Sequence, residues 1–229
     1  MTNIASATRR GVRPHNADAA ASFTAADGTT AAVVIDGIGN SGHLADTMRL
    51  VAAAVARVAA QRGGLAGLMT GHQMIASPDA DGWAPDGVAV VAIDHGDGDP
   101  VDIYWIGDAV AYGWDGKELV QATTVHTMGQ FLRHNGAPLE LAAEHDNWVR
   151  TTLRRATPAT ICQAEISAWQ TILLTSDGVP DGLPDGAFER LLRDHGDGEP
   201  QALADALVAA VEPDADEYRD DATVIVLTP

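Results

Sequence analysis

Two aspartates stand where a carboxylate could take part in metal chemistry. Asp36 ends the apolar run AVVI and precedes Gly37, and Asp177 ends the run TILLTS and precedes Gly178. The chain contains ten Asp-Gly pairs, most of which we expect in surface turns, but only these two follow an apolar segment of the kind found in a core. A rigid strand would hold each carboxylate at its end, and the glycine lets the backbone approach a ligand closely.

Further acidic residues have similar positions. Asp108 follows VDIYWIG, Asp220 and Asp221 directly precede the last apolar segment, and Asp18 lies in the N-terminal segment RPHNADA. Carboxylates in this number, without a cluster of cysteine or histidine, favour Mg²⁺ or Mn²⁺ over Zn²⁺. The spacing leaves two interpretations open, a carboxylate metal site or a set of well-capped turns on an acidic surface.

The glycines after Asp36 allow another interpretation. Gly37, Gly39 and Gly42 form G-x-G-x-x-G after a β-branched run, as in a dinucleotide-binding turn. Such a turn is followed, about twenty residues on, by an acidic residue at the end of a second strand. Here the chain continues instead as the helical segment AVARVAAQRGG, and Asp36 would set a negative charge against a pyrophosphate. Dinucleotide binding is therefore the weaker hypothesis.

The elements that must hold these residues are strands in hairpins, with helices towards both ends of the chain. Apolar segments predict strands at 32–35, 88–94, 101–108, 171–178 and 222–229, and Asp115-Gly116 predicts a hairpin turn. Helical spacing predicts helices at 44–61 and 65–76 and two more after residue 178. We also predict a strand pair at 148–155 and 159–167. This pattern favours an α+β fold of two sheets with helices outside, and a single domain over residues 1–229.

Composition narrows the class of protein. The chain of 229 residues carries a formal net charge of −18, which opposes binding to nucleic acid or to an anionic membrane surface. The single cysteine, Cys162, excludes an internal disulfide and indicates a reducing compartment. The start of the chain, MTNIASATRRGVRPHN, has no apolar stretch typical of a secretory leader, so we expect a cytoplasmic protein.

Five segments, taken in order, resemble the signature segments of the metal-dependent protein phosphatases of the 2C type. They are RPHNADA, VVIDGIGNSG, WIGDAVAYGWDGKELVQAT, ILLTSDGVPD and RDDATVIVL. The resemblance extends from Arg13 to Leu227, and the length is similar to that of compact bacterial members that carry only the catalytic domain. It implies a four-layer α-β-β-α sandwich of two antiparallel sheets flanked by helices, with a site for two Mn²⁺ or Mg²⁺ ions between the sheets.

The resemblance also implies roles for individual residues. Asp36 would bridge both ions, and Gly37 would offer its backbone carbonyl to one of them. Asp177 and Asp220 would complete the shell of the second ion, and Asp18 stands where the family has a further acidic residue of the metal cluster.

Three more residues match the family outside this cluster. Asp108 and Asp181 match the acids that hold a third, looser ion in many members, and Arg13 matches the arginine that grips the substrate phosphate. A phosphomonoester carries about two negative charges near neutral pH, and two cations would offset them and activate a water for attack on phosphorus. The planar guanidinium of Arg13 suits phosphate oxygens.

The sequence departs from the family pattern at several positions. Ala17 replaces the usual Glu before the N-terminal Asp, and Ile38 stands where many eukaryotic members have His. The common GDSR is GDAV, with Ala109 and Val110, and Asp221 replaces the usual Asn. None of these changes removes an implied core metal ligand, but together they make reduced activity a serious alternative.

The sequence therefore predicts a Mn²⁺- or Mg²⁺-dependent serine/threonine phosphoprotein phosphatase that acts through a metal-activated water. Its implied partners are a phosphoserine or phosphothreonine protein and a cognate serine/threonine kinase, and we expect a monomer. The alternative is a weakly active or inactive family member that binds a phosphoprotein as a regulator. We expect a short helix and irregular chain at residues 127–147, and the overlapping segment VHTMGQFLRHNGA, which contains His126, lies where the family has a variable flap beside the site. We expect core or sheet-edge packing for Trp83, Trp105, Trp114, Trp148 and Trp169.

Overall fold

The computed structural model describes residues 2–78, 82–195 and 198–229. The other positions of the predicted domain, namely 1, 79–81 and 196–197, lie outside the described residues. Ten strands are present in the described part of the chain. They are β1 (Asn3–Arg9), β2 (Ala19–Thr24), β3 (Thr30–Gly37), β4 (Gly87–Asp94), β5 (Val101–Ile106), β6 (Val110–Trp114), β7 (Leu119–Gln121), β8 (Cys162–Ile166), β9 (Thr171–Thr175) and β10 (Ala222–Thr228).

The strands form two five-stranded sheets. The first has the order β1-β10-β9-β6-β7 and the second the order β2-β3-β4-β5-β8, and their pairings are antiparallel. The central strands β3 and β4 read AAVVI and VAVVAI in their buried parts, and β4 is buried along its whole length. Such β-branched runs suit a strand that is covered on both faces.

Seven helices are present in the described part of the chain. They are α1 (Gly42–Arg62), α2 (Gly64–Ile75), α3 (Met128–His134), α4 (Leu139–Ala143), α5 (Gly178–Gly182), α6 (Ala187–His195) and α7 (Pro200–Ala209), with a 3₁₀ turn at Leu153–Arg155. The helix α1 begins after Ser41, whose Oγ accepts a hydrogen bond of 3.1 Å from the Leu44 N–H. It ends at Gly63, whose φ of 88° lets the chain turn directly into α2.

Three hydrophobic clusters separate the four layers. One joins α1 and α2 to the second sheet, one lies between the sheets, and one joins the first sheet to α6 and α7. Neighbouring side chains of strand β9 point to opposite faces of the sheet and so belong to different clusters. Leu173 packs in the cluster under α6 and α7, and Leu174 packs in the cluster between the sheets. The predicted α-β-β-α sandwich is confirmed.

The structure corrects several local predictions. Strands β1 and β2 were not predicted, because NIASATR and AAASFT contain small and polar residues without an apolar run. The predicted strand at 148–155 is wrong, because this segment contributes only an isolated bridge between Val149 and Thr127 before the 3₁₀ turn. Its expected partner does form a strand, β8, which pairs with β5 instead. No helix among the described residues is long and apolar enough to cross a membrane.

Candidate active site

A cavity of about 680 Å³ brings together most of the residues that the sequence singled out. Its lining includes seven of the eight predicted site residues, namely Arg13, Asp36, Gly37, Asp108, Asp177, Asp181 and Asp220. The eighth, Asp18, is buried and interacts electrostatically with Asp36 and Asp177. The acids that share a strand-end position therefore meet at one edge of the sandwich.

Antiparallel pairing explains why they meet. Strand β9 lies between β10 and β6, with Thr175 paired to Val224 on one side and to Val110 on the other. The end of β9 therefore adjoins the starts of both neighbours, which places Asp177 near Asp220 and near Asp108. Asp36 arrives from the other sheet, at the end of β3.

The acidic residues of the cavity have raised pKa values. Burial raises the pKa of Asp108 to about 7 and that of Asp181 to about 6, and the carboxylate of Asp177 adds to both effects. Burial, followed by the charges of Asp177 and Asp18, raises the pKa of Asp36 well above its ordinary value. Several carboxylates are thus held close together in a partly desolvated cavity, where a cation would be stabilised.

Asp18 is held from the strand ends of the first sheet. The Ser176 hydroxyl donates a hydrogen bond of 2.7 Å to Asp18 Oδ2, and Ser176 Oγ accepts one of 2.9 Å from the Thr223 N–H. Burial raises the pKa of Asp18 to about 7, although the hydrogen bonds from Ser176 and Thr223 act in the opposite direction. Ser176 was not among the predicted site residues, but its position between a buried strand and Asp177 was a usable signal.

Arg13 is paired with one of the predicted metal ligands. Its Nη2 forms an ion pair with Oδ1 of Asp220, and its Nη1 donates a hydrogen bond of 3.2 Å to the Gly39 carbonyl. Asp220 Oδ1 also accepts a hydrogen bond of 2.7 Å from the Asp221 N–H. The guanidinium therefore serves as the countercharge of Asp220 in this structure.

Asp221 fixes the segment that carries Arg13. Its Oδ1 accepts a hydrogen bond of 2.8 Å from the Gly11 N–H, and its Oδ2 accepts one of 2.8 Å from the Ala17 N–H. Asp221 is 2% exposed, so these N–H groups would lack a partner without it. No sequence pattern predicted this role of Asp221, because its partners are about two hundred positions away in the chain.

The other departures from the family pattern are core positions. Ala17, Ala109 and Val110 are all buried and pack in the hydrophobic clusters. Ile38 differs, because it is 49% exposed and lines the cavity next to Gly37. These substitutions leave the acidic lining of the cavity in place.

The site offers the right donors for Mn²⁺ or Mg²⁺. Its oxygens come from carboxylates, and Asp177 Oδ1 is buried without a hydrogen-bond partner among the described residues. No group of three or more His, Cys, Asp or Glu residues in the described part of the chain is already placed to hold an ion. A cation held by Asp220 together with Asp36 and Asp177 would compete with Arg13, which is paired with Asp220 in this structure.

Two tryptophans contradict the predicted packing role. Trp105 and Trp114 are buried as expected, but Trp148 is 58% exposed and lines the cavity, and Trp169 is 81% exposed elsewhere. Tyr218, which the sequence analysis did not discuss, lines the same cavity and is 40% exposed. An aromatic residue in a polar, turn-rich segment such as DADEYRDD was the available signal for Tyr218.

Comparisons with known proteins agree with this architecture. Residues 153–229 match the family model described as Stage II sporulation protein E (SpoIIE). Among solved structures, the serine/threonine phosphatase Stp1 from Staphylococcus aureus aligns with a TM-score of 0.77 and 20% identity, covering 100% of this chain and 95% of that chain. No curated protein matches the chain.

Two further solved structures give the same result. The serine/threonine phosphatase PstP/Ppp of Mycobacterium tuberculosis aligns with a TM-score of 0.70 and 23% identity, covering 99% of this chain and 98% of that one. The catalytic domain of PstP in complex with two manganese ions aligns with a TM-score of 0.69 and 24% identity, covering 99% and 97%. The resemblance to the metal-dependent protein phosphatases is therefore confirmed, as a shared fold along the whole chain and a matching family model over its last third.

Proposed function

We propose that this protein is a Mn²⁺- or Mg²⁺-dependent serine/threonine phosphoprotein phosphatase. The observation that carries the proposal is the convergence of Asp36, Asp177 and Asp220 with Arg13 in one cavity, at the edge between the two sheets. An anionic pocket with an arginine beside the carboxylates suits the binding of cations together with a phosphate group.

The carboxylates would hold the metal ions. Asp36, Asp177 and Asp220, with the carbonyl of Gly37, would bind two ions, Asp18 would support them from behind, and the ions supply charge neutralisation and an activated water. The Oδ1 of Asp177, which is buried and has no hydrogen-bond partner within the described ranges, favours a cation at this position. Asp108 and Asp181 line the same cavity and would take a third, weaker ion.

Arg13 would bind the phosphate of the substrate. Its guanidinium can offer two N–H groups to phosphate oxygens once Asp220 turns to a metal ion. The Gly39 carbonyl, which accepts from Nη1, would keep the side chain directed at the cavity. Residue 38 cannot serve as a general acid, because the side chain of Ile38 has no acidic proton to donate.

The comparisons do not favour the alternative of an inactive phosphoprotein-binding regulator, because the structural neighbours are named as phosphatases. A phosphoprotein substrate follows from the proposed reaction. A cognate serine/threonine kinase, a monomeric state, a cytoplasmic location and a single domain over the whole chain stay predictions.

Phosphate release from peptides tests the proposal. We expect Mn²⁺-dependent release of inorganic phosphate from phosphoserine and phosphothreonine peptides, and a much slower reaction with a matched phosphotyrosine peptide. Asp36→Asn should abolish release while the circular dichroism spectrum stays that of the parent protein. Release at the parent rate in Asp36→Asn would contradict the assignment of this residue.

A further inference from the structure

Two aromatic side chains stand exposed on the wall of the cavity that holds the acidic residues. Trp148 is 58% exposed and Tyr218 is 40% exposed, and both line this cavity. They come from different parts of the chain, because Trp148 follows the segment 127–147 and Tyr218 precedes β10. Neither residue takes part in the proposed binding of metal ions or in the proposed hydrolysis of the phosphate ester.

The backbone of Trp148 is fixed by hydrogen bonds. Its carbonyl accepts a bond of 2.8 Å from the Met128 N–H, and its N–H donates one of 3.2 Å to the His145 carbonyl. The indole stacks on the imidazole of His145, with ring centroids 6.1 Å apart and an interplanar angle of 22°. A large side chain is thus exposed to solvent from a defined position.

A strained turn presents Tyr218. Asp214 Oδ1 accepts hydrogen bonds of 2.9 Å from the N–H groups of Asp216 and Tyr218, and the Tyr218 carbonyl accepts one of 2.7 Å from the Asp214 N–H. Glu217 has a φ of 58° and is the one non-glycine residue with positive φ among the described residues. A side chain is unfavourable there, so the Asp214 contacts must hold the turn against this cost.

The charge of the cavity favours a cationic neighbour for the phosphate. Its lining contains seven acidic side chains and two arginines, Arg13 and Arg219, so its formal charge is −5. Two divalent ions would add four positive charges, and the phosphate of the substrate would bring about two negative ones. A basic residue beside the phosphorylated one would offset the remaining negative charge. Glu212 lies in the lining, where the bond from its N–H to the Gly182 carbonyl, 2.8 Å long, fixes its backbone.

We propose that Trp148, Tyr218 and Glu212 form a subsite for an arginine or lysine side chain that flanks the phosphoserine or phosphothreonine of the substrate. The aromatic faces attract a cation and cover its apolar stem, and the Glu212 carboxylate supplies the opposite charge. Ile38, 49% exposed in the same cavity, adds apolar surface for the stem. This inference rests on the proposed phosphatase activity and names the class of substrate that it acts on.

A series of phosphopeptides tests the subsite. The reference peptide has alanine at the two positions on each side of phosphothreonine, and four others carry one arginine at each of these positions in turn. We expect at least one arginine peptide to show a kcat/KM about five- to tenfold above the reference, in the Mn²⁺-loaded protein. The same arginine replaced by glutamate should give a kcat/KM below the reference.

Variants of the aromatic residues locate the preference. Trp148→Ala and Tyr218→Ala should each reduce the ratio of kcat/KM between the arginine and alanine peptides about threefold. Glu212→Gln, which removes the carboxylate charge and leaves both aromatic rings in place, should also reduce this ratio. The matched control is Trp169→Ala, because Trp169 is an exposed tryptophan outside the cavity lining, and the ratio should not change. Both tryptophans are mostly exposed, so neither replacement should unfold the protein.

The outcomes separate this inference from the proposed function. If the Mn²⁺-loaded protein releases phosphate from the reference peptide but the arginine peptides show the same kcat/KM, the subsite is refuted and the phosphatase activity stands. A preference that persists in both aromatic variants, or that falls equally in Trp169→Ala, also refutes the subsite. If no phosphopeptide and no p-nitrophenyl phosphate is hydrolysed, the proposed function fails first.

Discussion

The ion pair between Arg13 and Asp220 predicts that Arg13→Ala will strengthen metal binding and weaken phosphate binding. Asp220 is paired with Arg13 through its Oδ1 in this structure, so a cation that binds this carboxylate competes with the guanidinium for the same negative charge. The variant no longer has to break the pair, and it also removes a positive charge that repels the incoming ion. Both effects favour tighter binding of Mn²⁺.

The size of the effect follows from the exposure of the pair. The side chains of Arg13 and Asp220 are 24% and 32% exposed, so the pair lies near the upper end of the range for surface ion pairs, at about 1 kcal/mol. That free energy corresponds to a dissociation constant for Mn²⁺ about fivefold lower in the variant. The loss of charge-assisted hydrogen bonds to phosphate should reduce kcat/KM about 10- to 100-fold.

Calorimetric titration of chelator-stripped protein with Mn²⁺ measures the first effect, and hydrolysis of p-nitrophenyl phosphate at saturating Mn²⁺ measures the second. Arg49→Ala is the control, because Arg49 forms an exposed pair with Asp46 on α1 and its removal changes the net charge equally. An unchanged or weaker affinity for Mn²⁺ in Arg13→Ala would refute the reasoning. So would the same gain in Arg49→Ala.

Two further predictions concern stability. Asp221→Ala leaves the buried N–H groups of Gly11 and Ala17 without an acceptor, so urea unfolding should show a free energy of unfolding lower by about 2–4 kcal/mol. Asp221→Asn keeps one acceptor and should lose less, and equal losses in the two variants would contradict this prediction. Burial raises the folded-state pKa of Asp18 and of Asp108 to about 7, from an ordinary value of 3.8, so the folded protein holds more protons between these values than the unfolded chain. The free energy of unfolding of metal-free protein should therefore fall as the pH rises from 5 to 8, less steeply in Asp108→Asn, and a rise over this range would refute the assignment.

The sequence predicted the parts of the site that depend on local pattern. An apolar strand followed by Asp-Gly is a local signal, and it correctly placed Asp36 and Asp177 at the cavity. The hairpin turn at Asp115-Gly116 and the helix before Gly63 are local signals of the same kind. The prediction of the four-layer fold needed more than local signals. It depended on the order of five segments that resemble those of a known family.

The rest of the site depends on contacts between distant parts of the chain. The hydrogen bond from the Gly11 N–H to Asp221 and the ion pair of Arg13 with Asp220 each join residues about two hundred positions apart. No periodicity or spacing encodes such contacts. The exposure of Trp148 was missed for a related reason, because its segment has the composition of a strand but is held by the flap instead of by a sheet.

The most direct test of the central claim is a titration with Mn²⁺ of p-nitrophenyl phosphate hydrolysis by chelator-stripped protein, beside Asp177→Asn. Asp177 has a buried oxygen without a hydrogen-bond partner among the described residues, and the replacement changes its charge and not its size. We predict that Mn²⁺ restores activity in the parent protein and not in Asp177→Asn, while both keep the same circular dichroism spectrum. Equal activity in the two proteins, or no activity with Mn²⁺ in folded parent protein, would contradict the account.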